Sequence, residues 1–143
     1  ALAELLGNPF FGAAPPKSLD RGDFSLAPLE GLAPGDGAAT LTAFTVAGIA
    51  AALRHFPTAP KSWIVTGGGA RNPLIVEGMR RVLGAGVLAA EQAGLDGDFV
   101  EAQAFAYLAV RTLRGLPSSF PGTTGARTPV VAGIVADPSD SEI

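Results

Sequence analysis

A chain of 143 residues, 48% hydrophobic and 16% charged, is long enough for one domain with its own core and too apolar for a disordered tract. Its net charge of -3, with no cationic run longer than Arg80-Arg81, lacks the clustered cations that nucleic acid or an anionic membrane surface requires. With no cysteine and the single His55, disulfide frameworks, thiolate metal sites and His-rich clusters are excluded, and no structural metal is expected.

In chain order, Ala1 to Leu6 reads as the tail of a helix stopped by Gly7-Asn8-Pro9. The pattern starts mid-helix without an initiator Met or a cap, so a fragment of a longer protein is expected. Pro15-Pro16-Lys17-Ser18-Leu19-Asp20-Arg21 is a rigid turn and a short polar segment, and Gly31 to Gly37, with Pro34 inside it, reads as a loop. From about Ala38 to Phe56, apolar residues recur at three- and four-residue steps and predict a helix capped by Asp36 or Thr40. The longest apolar stretch, Ala47 to Leu53, is shorter than the roughly 20 residues that cross a bilayer. No basic flank precedes a hydrophobic core at the start, so a cytoplasmic protein without membrane contact is expected.

After Pro57 and Pro60, the run Trp63 to Thr66 is apolar enough for a strand covered on both faces, which predicts a parallel sheet. Gly67-Gly68-Gly69-Ala70-Arg71 is the turn that follows. Asn72-Pro73 then places a capping side chain and a first-turn proline at the head of a helix running to about Leu83. Val87 to Ala89 is a second short strand, Glu91 to Gly97 a loop, and Phe99 to Leu113 a second long helix ended by Gly115 and Pro117. Pro129 to Val135 predicts a last strand, with residues 137–143 as a frayed tail. Helices and strands in alternation give an α/β layer fold in one domain over 1–143, with ligands expected at the carboxyl ends of the strands.

Three consecutive glycines each cost about 0.5–1 kcal/mol in chain entropy relative to alanine, so their retention needs a reason. One reading is a backbone cradle for a phosphate or nucleoside at a positive helix end; the other is a tight strand-to-helix turn in which glycine permits close packing. The spacing is neither the dinucleotide fingerprint nor a P-loop. Glu101 shares a helical face with Phe105 and Leu108, an unusual place for a carboxylate, although Asp98 and Glu101 also stand at capping-box spacing. Lys17, Ser18 and Arg21 are suited to binding a polar substrate or bracing an interface, or else to a solvated turn with local ion pairs, while His55 fits a helix end favoured by the dipole. No nucleophile, base and orienter stand together, so a self-contained hydrolase is not expected.

The ordered set of Pro15-Pro16-Lys17-Ser18 with Arg21, Ala39-Thr40-Leu41-Thr42-Ala43, Gly67 to Pro73 and Glu101 to Ala109 resembles the C-terminal part of the anhydro-N-acetylmuramic acid kinases. Arg111-Thr112-Leu113, Gly115-Leu116-Pro117 and Thr124-Gly125-Ala126 complete the likeness, which covers nearly the whole chain. These kinases belong to the sugar kinase and actin-like ATPase superfamily.

The resemblance implies an incomplete, ribonuclease H-like C-terminal lobe of a two-lobe enzyme that uses ATP and Mg²⁺. Such an enzyme opens the 1,6-anhydro sugar with water and phosphorylates it to N-acetylmuramic acid 6-phosphate. It implies nucleotide contacts for Gly67, Gly68, Gly69 and Ala70, with Asn72 holding the turn, and a sugar- or water-positioning role for Glu101. The polar group Lys17, Ser18 and Arg21 would then face the cleft. The family's catalytic Asp, its Asp-Gly phosphate loop and most of its Mg²⁺-organising acids lie in the N-terminal lobe, so this segment alone is expected to be inactive. Two other readings stand beside it: a non-catalytic ligand-binding module with a degenerate cleft, and a structural lobe that forms a homodimer.

Overall fold

A computed structural model describes residues 1–84 and 86–136 and divides into two compact units, Ala1–Asp98 and Phe99–Ile143. The expected tail at 137–143 lies outside the described residues.

In the first unit the sequence builds α1 (Leu2–Leu6), α2 (Pro34–Ala51), β1 (Ser62–Val65), α3 (Pro73–Leu83) and β2 (Gly86–Ala89). Pro34 begins α2 instead of interrupting a loop. Its missing N–H falls where a helix has no acceptor for it, and Gly35, Asp36 and Gly37 join the first turn. Neither expected cap serves that role: Ala33 is the N-cap, Asp36 sits in the first turn, and the Thr40 hydroxyl donates to the Asp36 carbonyl at 2.7 Å. A 3-10 turn, Ala52–His55, carries the helix on until Phe56 becomes extended.

The combined helix Pro34–His55 contains an 18-residue window of mean hydropathy 1.4 and is, by length and composition, able to cross a bilayer, which the shorter run Ala47 to Leu53 did not indicate. Only 6% of that window is buried, and Val46 is the residue of α2 that enters the core. Val46 is buried with Met79 of α3 and Val87 of β2, and Ile49, Trp63, Val65 and Ile75 pack around them. Gly78 makes the approach of α2 to α3 possible, because a Cβ there would lie 2.9 Å from Val46 Cγ2.

β1 and β2 pair in parallel, Trp63 opposite Val87 and Ile64 opposite Leu88, with α3 as the crossover that a parallel pair requires. The result is a mixed α/β unit with a small parallel sheet. β1 is not covered on both faces as expected: Trp63 and Val65 turn inward to the helices, whereas Ser62 and Ile64 are exposed. A satellite aromatic cluster fixes the segment before α2. Phe11 and Phe24 meet Phe44 edge-on at 5.6 and 5.5 Å between ring centres, the geometry that aromatic quadrupoles favour.

In the second unit, α4 (Val100–Leu113) forms where expected, followed by a short α5 (Pro121–Thr124). The expected strand Pro129 to Val135 is absent apart from one antiparallel bridge, Ser119 to Val130. Its continuation is diverted: the Ala132 carbonyl accepts the Thr112 hydroxyl, and Gly133 takes a left-handed φ of 97° against Thr112.

Candidate functional site

β1 delivers Gly67 to the carboxyl edge of the sheet, where its φ of 71° lies in the region that glycine alone enters without strain. Gly68–Arg71 then wind into one 3-10 turn, closed by Ala70 N–H to the Gly67 carbonyl and Asn72 N–H to the Gly69 carbonyl, both 3.1 Å. Those two donors are spent inside the turn. The N–H groups of Gly68 and Gly69, at its head, make no hydrogen bond to another described residue.

Asn72 ends the turn and starts α3, its Oδ1 accepting Leu74 N–H at 3.0 Å with Pro73 in first position. The close-packing account of the glycines fails at this point. Cβ atoms built on Gly67, Gly68 and Gly69 meet nothing within 4 Å, and neither Gly68 nor Gly69 has a left-handed backbone. Among the described residues, no contact fills the space over Gly68 and Gly69.

Beside the turn lies an open, mainly apolar pocket of about 360 Å³, lined by Trp63, Val65, Thr66 and Gly69 with Ile49 and Ile75. Trp63 Nε1 is buried without a hydrogen-bond partner among the described residues. Two larger grooves, about 400 Å³ between α2 and α3 and about 490 Å³ along α4, have mainly apolar linings, with Thr42 and Arg81 in the first and Thr112 and Ser118 in the second.

Asp98 does not cap the helix of Glu101. Phe99 occupies the N-cap without a side-chain bond, and the Asp98 carboxylate instead pairs with the Arg71 guanidinium at the end of the glycine turn. This contact spans 27 residues of sequence and had no local signal to reveal it. Glu101 stands in the first turn of α4, exposed and without an ion-pair partner among the described residues.

Lys17 points its ammonium at the Phe10 and Phe11 carbonyls, 2.6 and 3.3 Å away, and at His55 Nε2, 3.2 Å away; it also lies over the Phe10 ring. An ammonium has three N–H bonds, and these contacts use all three. Lys17 therefore straps the Pro9–Phe11 turn to the end of α2, and His55 is the helix-end residue expected of it. Ser18 and Arg21 are exposed on the same segment. The local ion pairs expected there are replaced by a capping box, Asp20 accepting from Gly22 N–H and Asp23 from Asp20 N–H. Among the described residues no three His, Asp or Glu side chains form a group that could hold a metal.

A small parallel sheet with packed helices and an open glycine turn at a strand's carboxyl end defines a mixed α/β domain compatible with a sugar kinase domain. The family model for anhydro-N-acetylmuramic acid kinase matches residues 1–138, and the chain belongs to that family. It is 55% identical over 133 residues to the anhydro-N-acetylmuramic acid kinase of Rhodospirillum rubrum, covering 93% of this chain and 36% of the relative. The kinases of Nitrobacter winogradskyi and Roseobacter denitrificans are 52% and 48% identical, each over 96% of this chain and 38% and 37% of their own length. The chain thus spans little more than a third of the curated relatives it matches.

Proposed function

We propose that this chain is the nucleotide-facing wall of a two-lobe, ATP-dependent kinase that opens 1,6-anhydro-N-acetylmuramic acid with water and phosphorylates it at O6. The product is N-acetylmuramic acid 6-phosphate, and the setting is the cytoplasm, where ATP is supplied. The carrying observation is the empty space over Gly68 and Gly69 together with their two undirected N–H groups. A nucleotide bound there receives those donors and the positive end of α3, while the apolar pocket alongside suits a base.

ATP supplies the phosphoryl group; this chain's residues bind and orient it. Ala70 and Asn72 act indirectly, by closing the turn and capping α3. Glu101, exposed and unpaired at the head of α4, is available to hold the sugar or its attacking water, and Ser18 and Arg21 are available to the sugar's polar rim. The exposed Ile64 of β1 and the sheet's small size support an incomplete ribonuclease H-like lobe that the remaining two thirds of the family's length completes. Phosphoryl transfer requires both parts to position donor, metal and acceptor together.

A second reading, a dimerising module, is favoured by the apolar residues that α4 leaves exposed, Phe105, Tyr107 and Leu113 among them. Titration with ADP distinguishes the two. Gly68→Val places a side chain where nothing in the chain touches it, so folding is spared and ADP binding is lost. Unchanged ADP affinity in the folded variant sinks the nucleotide assignment.

A further inference from the structure

Arg71 ends the glycine turn, and its guanidinium is 72% exposed although it is paired with Asp98, itself 62% exposed. So exposed a pair contributes less than about 1 kcal/mol, too little to be what holds the turn. The turn is already closed by its own backbone bonds, and Asn72 secures α3 behind it. The pair therefore leaves, on the same four-residue turn as the two undirected N–H groups, a cation held by an anion that a stronger anion can displace.

We propose that Arg71 is the residue that selects a nucleotide's phosphate chain over the bare nucleoside, and that Asp98 is a built-in competitor occupying Arg71 while the site is empty. This rests on the nucleotide reading of the turn and adds to it a side chain and an exchange: on binding, the guanidinium leaves one carboxylate for the polyphosphate, whose oxygens it can engage two at a time. Because the pair is weak, Asp98 tunes affinity modestly, whereas Arg71 supplies a charge-assisted contact of larger size.

The test is titration of the chain with ADP and with adenosine, followed through the fluorescence of Trp63, the chain's one tryptophan, which lies on the strand entering the turn. Arg71→Gln weakens ADP at least about tenfold, as loss of a hydrogen bond to a charged group predicts, and leaves adenosine unchanged. Asp98→Asn tightens ADP by up to about fivefold, the most that relief of an exposed pair allows, and also leaves adenosine unchanged. The double variant matches Arg71→Gln alone, because Asp98 acts only through Arg71. Arg80→Gln, which removes one exposed cation from α3, serves as the control for bulk charge and does not change ADP affinity.

Equal weakening of ADP and adenosine by both variants would mean a structural brace and overturns the proposal, as does ADP binding that neither variant alters. Failure of the parent chain to bind either ligand overturns the nucleotide reading and this proposal together.

Discussion

Val46 and Gly78 are the residues on which the packing of this chain turns. A Cβ at Gly78 would sit 2.9 and 3.4 Å from the two methyls of a buried, β-branched side chain whose χ1 has little freedom to yield. Overpacking costs about 1–3 kcal/mol, and alanine returns about 1 kcal/mol of helix propensity. Gly78→Ala therefore destabilises the chain by about 1 kcal/mol in denaturant unfolding. In a Val46→Ala background the methyls are gone and the same change is neutral or stabilising. Additive effects of the two substitutions would show that the contact does not constrain the helices. Lys17 carries the opposite lesson: in sequence it looks like a cation free for substrate, but its three N–H bonds are directed at Phe10, Phe11 and His55.

Among the elements, α3 was the most legible because its start is written in adjacent residues. Asn72 accepts Leu74 N–H, Pro73 needs no acceptor, and Gly84 closes the helix in the left-handed conformation. Asn72→Ala should lower stability by about 1 kcal/mol, whereas Asn72→Asp, which keeps the acceptor and adds charge at the positive helix end, should not. Thermal melts of the two variants decide this, and equal melting temperatures would remove the cap from the account.

The start of α2 was misread because Pro34 and two glycines resemble a loop, although a proline in the first turn costs a helix nothing. The expected strand at Pro129 failed for a non-local reason. A short apolar run forms a strand only where a neighbour completes the ladder, and here Thr112 takes the Ala132 carbonyl instead. The Arg71–Asp98 pair was invisible for the same reason, since no spacing rule links residues brought together by a fold.

At the scale of the whole molecule, the first unit has a small buried core and a two-stranded parallel sheet, and α4 of the second unit leaves apolar residues exposed. Its relatives are about two and a half times as long. On the proposed function, the space over Gly68 and Gly69 that no described residue fills is where a nucleotide sits.

Backbone hydrogen exchange of the chain with and without saturating ADP tests this most directly. Gly68 and Gly69, whose N–H groups are undirected in the free chain, should become protected on binding, while amides in α4 and at Ser119 and Val130 keep their rates. Exchange at Gly68 and Gly69 that ADP leaves unchanged, with protection elsewhere or nowhere, would contradict the account.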